Sequence, residues 1–326
     1  MMNKSNAPSH KELSCSNDPM ISVVICTYNR ADSLKSTICS VVNQHMAGGD
    51  FEVIVVDNGS NDRTRQVVDD FNMSKLMHYV YEETLGLCHA RNAGWRRARG
   101  KYIAYLDDDA IASPEWLMAI KEAFESSPDA GIVGGCVEPI WEEERPGWLS
   151  DDVSLSLTIL DWSDTPKIIT DLNKEWLVGA NMAISASVLA QVGGFHSGLD
   201  RTGKHLLSNG DTFLQRQIVQ LGYSCVYYPA MKVQHIVPVS RLTKQWFLRR
   251  YYWQGVSDAV VCLIEDSPGL YRRLRLAAKA FNSLLRTPRM LQYLIFPTDD
   301  PHHFQCKCFK WIVIGHISGM LGAARK

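Results

Sequence analysis

The chain has 326 residues, with 34 Lys and Arg against 35 Asp and Glu and a formal net charge of −1 at pH 7. That balance excludes the strongly basic composition of a general nucleic-acid binder, and a hydrophobic content of 46% with nine Trp excludes a mainly disordered chain. The length predicts about two domains, or one large core with an extension. Nine Cys, an odd number, favour reduced thiols in a cytosolic protein over a disulfide framework.

The N-terminal segment is polar and lacks the apolar stretch that a signal peptide needs, so we expect a flexible tail over residues 1–19. No segment reaches the ~18 consecutive apolar residues of a transmembrane helix. We therefore expect a cytoplasmic protein that is soluble or bound peripherally to a membrane.

Strands and helices alternate in the first part of the chain. Short β-branched apolar runs predict strands at 21–28, 51–56, 77–81 and 102–106. Apolar residues at helical spacing predict helices at 31–45, 61–71 and 87–99. This alternation predicts an α/β fold with a mostly parallel sheet covered by helices on both faces.

The remainder of the chain follows a less regular pattern. We predict, in chain order, a strand at 131–140, an acidic excursion or flexible flap at 141–164, a strand at 176–185, a helix at 211–221, and strands at 224–228 and 232–237. From 241 onward the apolar spacing is helical. The sequence thus predicts one domain at 20–240 and a helical C-terminal extension at 241–326.

Polar clusters follow three of the predicted strands, at 28–30, 57–58 and 107–109. In parallel α/β sheets ligands bind at the carboxyl ends of the strands. The convergence of three clusters on one edge is therefore the first indication of a binding site.

Asp107, Asp108 and Asp109 form the sharpest local feature. Adjacent carboxylates repel one another, and a folded protein keeps them where something cationic offsets the charge. Because residues i and i+2 of a strand point the same way, Asp107 and Asp109 can face one ligand, and their oxygens suit Mg²⁺ or Mn²⁺ shared with a diphosphate. The alternative is a helix-capping Asp beside two solvated acids.

Four further residues have both a structural and a functional interpretation. Asp57 either closes an Asx turn or accepts hydrogen bonds from a base or ribose. Arg91 is either a surface residue of its helix or a guanidinium placed against a base or phosphate. Asp211 is either a favourable acid in the first turn of a helix or a general base for a hydroxyl. His235 is either a satisfied, half-buried side chain, the commoner case, or a metal ligand.

Six motifs follow one another along the chain: Thr27-Tyr-Asn-Arg30, Val55-Val-Asp-Asn-Gly-Ser60, Ala90-Arg-Asn-Ala-Gly94, Tyr105-Leu-Asp-Asp-Asp109, Gly193-Gly-Phe195 and Gly210-Asp211. In this order and spacing they resemble the inverting family-2 glycosyltransferases of the GT-A fold. The resemblance implies a Rossmann-like sheet and inverting transfer of a sugar from a nucleotide-sugar donor, usually a UDP-sugar. It also implies a divalent metal, Mn²⁺ or Mg²⁺.

The resemblance gives each candidate a role by its position. Thr27, Tyr28, Asn29 and Arg30 would line the nucleotide pocket, Asp57 would contact the base, and Arg91 would lie near the base or the diphosphate. Asp107 and Asp109 match the Asp-x-Asp element around Asp108, with Asp109 the better metal ligand and Asp107 nearer the ribose. Asp211 would be the catalytic base. We add His235 to the candidate metal set.

The sequence departs from the family pattern at two places. Gly210 replaces the Glu of the usual Glu-Asp pair, so the acceptor contacts of that Glu are not carried over. The Gln-x-x-Arg-Trp signature of processive synthases is missing, although 249–255 lies in a comparable place. Single addition is therefore favoured over polymerisation.

The implied acceptor is a glycan or a lipid-linked acceptor in cell-surface polysaccharide or glycoconjugate synthesis. The basic amphipathic segments after 241 either pack on the sheet or rest on the inner face of an anionic membrane. Two other functions remain as alternatives. A non-catalytic nucleotide-sugar- or glycan-binding relative predicts loss of the Asp pair or of Asp211, and a sugar-1-phosphate nucleotidyltransferase predicts a Gly-rich phosphate loop where 27–30 stands.

Overall fold

The computed structural model describes residues 18–46, 50–71, 76–201, 206–286, 294 and 297–322. The strands are β1 (Ile21–Thr27), β2 (Phe51–Asp57), β3 (Met77–Tyr81), β4 (Tyr102–Asp107), β5 (Ala110–Ala112), β6 (Ala130–Gly134), β7 (Val137–Trp141), β8 (Lys167–Ile168), β9 (Asn181–Ser185), β10 (Ser224–Tyr227) and β11 (Val233–Val237). The α-helices are α1 (Ala31–Val42), α2 (Thr64–Asp70), α3 (Leu87–Arg97), α4 (Trp116–Ser126), α5 (Asp151–Ser154), α6 (Ala186–Val192), α7 (Gly210–Gln220), α8 (Lys244–Asp266), α9 (Leu270–Leu285) and α10 (Pro301–Met320).

The main sheet has the order β3–β2–β1–β4–β9–β6–β10–β8 among the described residues. The first four of these strands are parallel neighbours, as are β6 and β10. Strand β9 lies antiparallel between β4 and β6, and β8 lies antiparallel on β10. The sheet is therefore mostly parallel and flanked by helices, which confirms the predicted fold class.

Both faces of the main sheet are covered, which is why its strands are continuously apolar rather than alternating. On one face, Val23 of β1 packs in a core with Leu34 of α1 and Trp116 of α4. On the other face, Val24 packs in a core with residues of α3, α6 and α7, including Leu214. Eight cysteines lie within the described residues, and these eight form no disulfide.

The strand predicted at 131–140 is in fact two strands in different sheets. The chain leaves β6 at Gly134 and enters β7 at Val137, which belongs to a three-stranded sheet with the order β5–β11–β7. The chain passes so close to Met231 here that a Cβ on Gly135 would lie 2.1 Å from the Met231 carbonyl oxygen. In this small sheet His235 of β11 pairs with Ala110 of β5, immediately after the acidic triplet.

The segment predicted as an acidic excursion or flexible flap packs against the C-terminal helices instead. Leu149, Val153 and Leu157 are buried in one cluster with Phe247 of α8 and Phe304 of α10. The apolar residues of this segment anchor it, while its acidic residues stay at the surface.

Helices α8 and α10 cross at unusually short distance. A Cβ on Gly255 would lie 1.8 Å from the Ile312 carbonyl oxygen, and a Cβ on Gly315 would lie 1.9 Å from that of Tyr252. Glycine at both positions lets the two backbones touch. Among the residues that the structure describes, no helix combines the length and apolar content needed to cross a bilayer.

The elements after β11 are helical, as the sequence predicts. The domain boundaries at 20–240 and 241–326 stay a prediction. The predicted tail lies outside the described residues except for Asp18 and Pro19.

Candidate active site

A cleft of about 1200 Å³ opens at the carboxyl edge of the main sheet, between this edge and helices α7 and α8. Nine of the predicted site residues line it: Thr27, Tyr28, Arg30, Arg91, Asp107, Asp108, Asp109, Asp211 and His235. Asn29 and Asp57 are not among its lining residues, although their chain neighbours Tyr28, Arg30 and Asn58 are. The sequence expectation that polar clusters converge on this edge is therefore met by the topology, since β1, β2 and β4 are parallel neighbours.

A candidate metal centre forms where β4 and β11 meet. Asp107, Asp109 and His235 each offer a ligand atom, and these atoms lie within 4.8 Å of one another. Two carboxylates and an imidazole fit a divalent cation, and the carboxylate oxygens favour Mg²⁺ or Mn²⁺. In this structure the His235 Nε2 lies 3.2 Å from an Asp109 oxygen, so the pair is already in contact.

Cationic side chains surround the inner part of this centre. Arg30 Nη1 donates to Asp108 at 3.0 Å and to Asp109 at 2.6 Å, and Arg241 Nη2 lies 3.5 Å from Asp109. Burial opposes ionisation of Asp109, but the hydrogen bond and charge of His235, with the charges of Arg30 and Arg241, hold its pKa below the usual range. Asp109 is therefore present as the carboxylate that a metal ligand requires.

Asp108 differs from its two neighbours. Burial, followed by the negative charge of Asp109, raises the pKa of Asp108 to about 6 despite the charge of Arg30. The Asp108 side chain is 8% exposed, whereas the Asp107 side chain is 32% exposed at the cleft. Asp107 and Asp109 are thus the carboxylates that can serve a ligand together, as their i, i+2 spacing predicts.

Arg91 of α3 connects this centre to Asp211 of α7. Its Nη1 lies 2.5 Å from Asp211 Oδ1, and its Nη2 lies 3.5 Å from Asp107 Oδ1. The other oxygen of Asp211 accepts a hydrogen bond from the Gly179 backbone N–H at 2.8 Å. A Cβ on Gly179 would lie 1.9 Å from Arg91, so the close approach depends on glycine there. Arg91 is 4% exposed and is not the surface residue that one interpretation of the sequence allowed.

The far end of the cleft is shaped by the turns after β1 and β2. Asp57 accepts hydrogen bonds from the Ser60 backbone N–H at 2.8 Å and from the Tyr79 hydroxyl at 2.7 Å. Asn29 has a positive φ of 54° and accepts from the Asn61 backbone N–H at 2.8 Å. Asp57 thus closes a turn, as the structural interpretation predicts, and its contact with a base stays a prediction.

Four arginines that the sequence analysis did not select also line the cleft, namely Arg201, Arg216, Arg241 and Arg250. Burial and the neighbouring charge of Arg201 lower the pKa of Arg250 to about 10. Arg250 donates to Ser208 Oγ at 3.3 Å. For Arg250 the sequence signal was the position of 249–255 near the place of the missing processive signature.

Comparison with known proteins agrees with this geometry. The model of the family described as glycosyl transferase family 2 matches residues 22–192, just over half of the chain. The chain belongs to this family: it is a glycosyltransferase with a GT-A fold.

Two relatives and one solved structure give the range of similarity. A glucosyl-dolichyl phosphate glucuronosyltransferase from Haloferax volcanii is 28% identical over 75% of this chain and 78% of its own. A validoxylamine A glucosyltransferase from Streptomyces hygroscopicus subsp. jinggangensis is 40% identical over 36% of this chain, which spans only 28% of that protein. A mannosyltransferase from Pyrobaculum calidifontis, solved with GDP-Man and Mn²⁺, superposes with a TM-score of 0.62 at 20% identity, covering 94% of this chain and 88% of its own. This structural likeness to the mannosyltransferase shows that the two proteins share a fold.

Proposed function

We propose that the protein is a metal-dependent, inverting glycosyltransferase that moves a sugar from a UDP-sugar to a hydroxyl group of a glycan or lipid-linked acceptor. One observation carries the proposal: Arg91 joins a candidate base, Asp211, to the candidate metal set of Asp107, Asp109 and His235 in one cleft. A separate carboxylate beside the acidic cluster is what a one-step displacement needs.

In this proposal Asp211 is the general base. The acceptor oxygen forms a bond to the anomeric carbon while the bond from that carbon to the diphosphate breaks, and the acceptor proton passes to the Asp211 carboxylate. The contacts with Arg91 and Gly179 fix the orientation of the carboxylate. A carboxylate has about four lone-pair sites, so two hydrogen bonds leave room for the acceptor hydroxyl on a side chain that is 27% exposed.

Asp107, Asp109 and His235 would hold Mn²⁺ or Mg²⁺. When bound, the ion neutralises charge that builds up on the departing diphosphate. Arg201, Arg241 and Arg250, which also line the cleft, support the same assignment, because they add positive charge that attracts an anionic donor. Thr27, Tyr28 and Arg30 would line the nucleotide end, with Asn29 and Asp57 shaping the turns behind it.

The proposed substrates rest on two further observations. UDP follows from the resemblance of the motifs, while the solved mannosyltransferase carries GDP-Man. A lipid-linked acceptor is supported by the name of the Haloferax relative, which describes a sugar carried on dolichyl phosphate.

Thermal shift with a panel of nucleotides, with and without Mn²⁺, tests the donor. A ligand that binds only the folded state raises its stability with the logarithm of concentration over affinity. We expect a Mn²⁺-dependent shift with UDP and none with ADP. A shift with GDP alone would be consistent with the proposed reaction but would show that the donor nucleotide is not UDP. Absence of a shift with every nucleotide would contradict the proposal.

Substitution Asp211→Asn tests the base. We expect transfer to fall about 10²–10⁴-fold while the thermal shift with UDP and Mn²⁺ is retained. Glu138→Gln, at an exposed position of β7, is the control and leaves both unchanged. Loss of donor binding together with rate would show that Asp211 is structural and that the base lies elsewhere.

A further inference from the structure

Helix α9 presents three different faces along its length. One face is buried against α10: Ala277 packs with Met320, and Arg273 donates from Nε and Nη2 to the Met320 carbonyl oxygen at 2.9 and 2.5 Å. Leu284 is buried on the same side. These contacts fix which sides of the helix face outward.

The first outward side, the apolar face, consists of large hydrophobic residues exposed to solvent. Their exposed fractions are 69% for Leu270, 81% for Tyr271, 49% for Leu274, 53% for Phe281 and 49% for Leu285. From Tyr271 to Leu285 these residues, with the exposed Ala278, recur every three to four positions, and Leu270 lies four positions before Leu274. They therefore form a single stripe. A contiguous stripe of this kind marks an interaction surface, unlike single exposed hydrophobic residues.

The second outward side, the basic face, lies beside the apolar face. Arg272, Arg275, Lys279 and Arg286 line a shallow groove at helical spacing. Arg272 pairs with Asp266 at 2.8 Å, whereas the other three form no ion pair with any residue that the structure describes. The sequence from Leu270 to Arg286 contains no Asp or Glu, so the field of this face is positive.

We propose that α9 docks on an anionic phospholipid surface. The apolar face enters the boundary between headgroups and acyl chains, and the basic face contacts the anionic headgroups. The sequence left membrane contact of the C-terminal helices as one of two alternatives. Among the C-terminal helices that the structure describes, it points to α9, because α8 and α10 are packed against each other and against the 149–157 segment.

A second copy of the chain is the competing occupant of the apolar face. Symmetric pairing through α9 would bring two basic faces close together, and like charges oppose that arrangement. Charge complementarity therefore favours the lipid surface. The proposal goes beyond the proposed function, since docking does not depend on which donor or reaction the cleft serves.

Flotation with lipid vesicles tests the proposal on the full chain. Vesicles of phosphatidylcholine alone are compared with vesicles of phosphatidylcholine and phosphatidylglycerol in equal parts. We expect flotation with the anionic vesicles only, and weaker flotation at high salt because salt screens exposed charges. Absence of flotation with the anionic vesicles would overturn the proposal.

Two matched sets of variants locate the surface. Tyr271→Ser/Leu274→Ser/Phe281→Ser removes the apolar face. Ile168→Ser/Val219→Ser/Leu221→Ser is the control, which removes exposed apolar groups from β8, from α7 and from the residue that follows α7. Arg275→Gln/Lys279→Gln/Arg286→Gln weakens the basic face, and Lys35→Gln/Arg96→Gln/Arg97→Gln is its charge-matched control. We expect about a hundredfold weaker binding for the basic-face variant, loss of flotation for the apolar-face variant, and wild-type flotation for both controls.

Circular dichroism and thermal melting of each variant separate loss of docking from loss of folding. If a triple variant fails to fold, the single variant Phe281→Ser is used in its place. Equal flotation of face and control variants would overturn the assignment to α9. A wild-type dimer in sedimentation velocity that becomes monomeric in the apolar-face variant would show that a second copy covers this face instead.

Discussion

At the scale of residues, the site is a chain of alternating charges. Asp211, Arg91 and Asp107 follow one another in contact, and Asp109 sits among Arg30, Arg241 and His235. Each carboxylate therefore has a cationic neighbour, which is the offset that three adjacent Asp residues require in a folded protein. A cation bound at Asp107 and Asp109 would sit in the same network as the candidate base.

The two candidate metal carboxylates differ in the number of contacts that they make with cationic side chains. Asp107 has one distant partner, Arg91 at 3.5 Å, whereas Asp109 contacts three cationic or potentially cationic groups. We expect Asp107→Asn to abolish Mn²⁺-dependent donor binding with little change in stability. Asp109→Asn should also abolish it but destabilise the fold by about 1–3 kcal/mol, because Arg241 and the buried His235 lose their carboxylate partner while Arg30 keeps its contact with Asp108.

Mn²⁺ titration calorimetry in the presence of UDP and chemical denaturation check these two outcomes. Glu138→Gln again serves as the control for loss of one carboxylate. Normal Mn²⁺-dependent binding by a folded Asp107→Asn protein would refute its place in the metal set. Equal stability of the two variants would refute the structural role that we assign to Asp109.

At the scale of elements, the sequence predicted the positions of those strands that stand out as short apolar runs of consecutive residues. Strands β1 to β4 are short apolar runs, and each begins at the predicted residue. The strand break at Gly135 was missed because it depends on Met231, almost a hundred residues away. The antiparallel position of β9 between β4 and β6 was missed for the same reason, since strand pairing over such distances leaves no local pattern.

The candidate site likewise combines residues that the local sequence identifies with contacts that only the fold brings about. The Asp107–Asp109 cluster and Asp211 were identified from spacing and motif. The pairing of β11 with β5 places His235 beside Asp109, a neighbour that no local pattern around His235 indicates. Its role as a metal ligand stays a prediction. The Arg91–Asp211 contact joins residues from two helices and has no signal in either segment.

The crossing of α8 and α10 gives a prediction at this scale. Gly255→Ala would place a Cβ 1.8 Å from the Ile312 carbonyl oxygen, so the helices must separate. We expect destabilisation of about 1–3 kcal/mol, as for overpacked cores, measured by urea denaturation. Gly147→Ala, where no atom lies within 4 Å of the added Cβ, is the matched control and should be nearly neutral. An unchanged Gly255→Ala stability would mean that the helices are not packed this closely.

At the scale of the whole molecule, the stability of the central strands should depend on pH through one buried carboxylate. Glu52 of β2 is 1% exposed and accepts hydrogen bonds from Ser22 of β1 at 2.7 Å and from the Arg99 backbone N–H and guanidinium at 2.8 to 3.0 Å. Burial opposes ionisation, but these hydrogen bonds and the charge of Arg99 lower the pKa of Glu52 below its ordinary value of 4.5. His78 Nε2 also lies 3.3 Å from this carboxylate.

A carboxylate with a lowered pKa in the folded state stabilises the protein above its unfolded-state pKa, and the contribution is lost as the pH falls below that value. We therefore expect Glu52→Gln to lower the free energy of unfolding by about 1–3 kcal/mol at neutral pH, and the deficit to shrink steadily between pH 4.5 and more acidic conditions. Urea denaturation of the wild type and the variant across this range measures it, with the exposed Glu138→Gln as a control whose difference stays near zero. A deficit independent of pH would show that Glu52 contributes through packing alone.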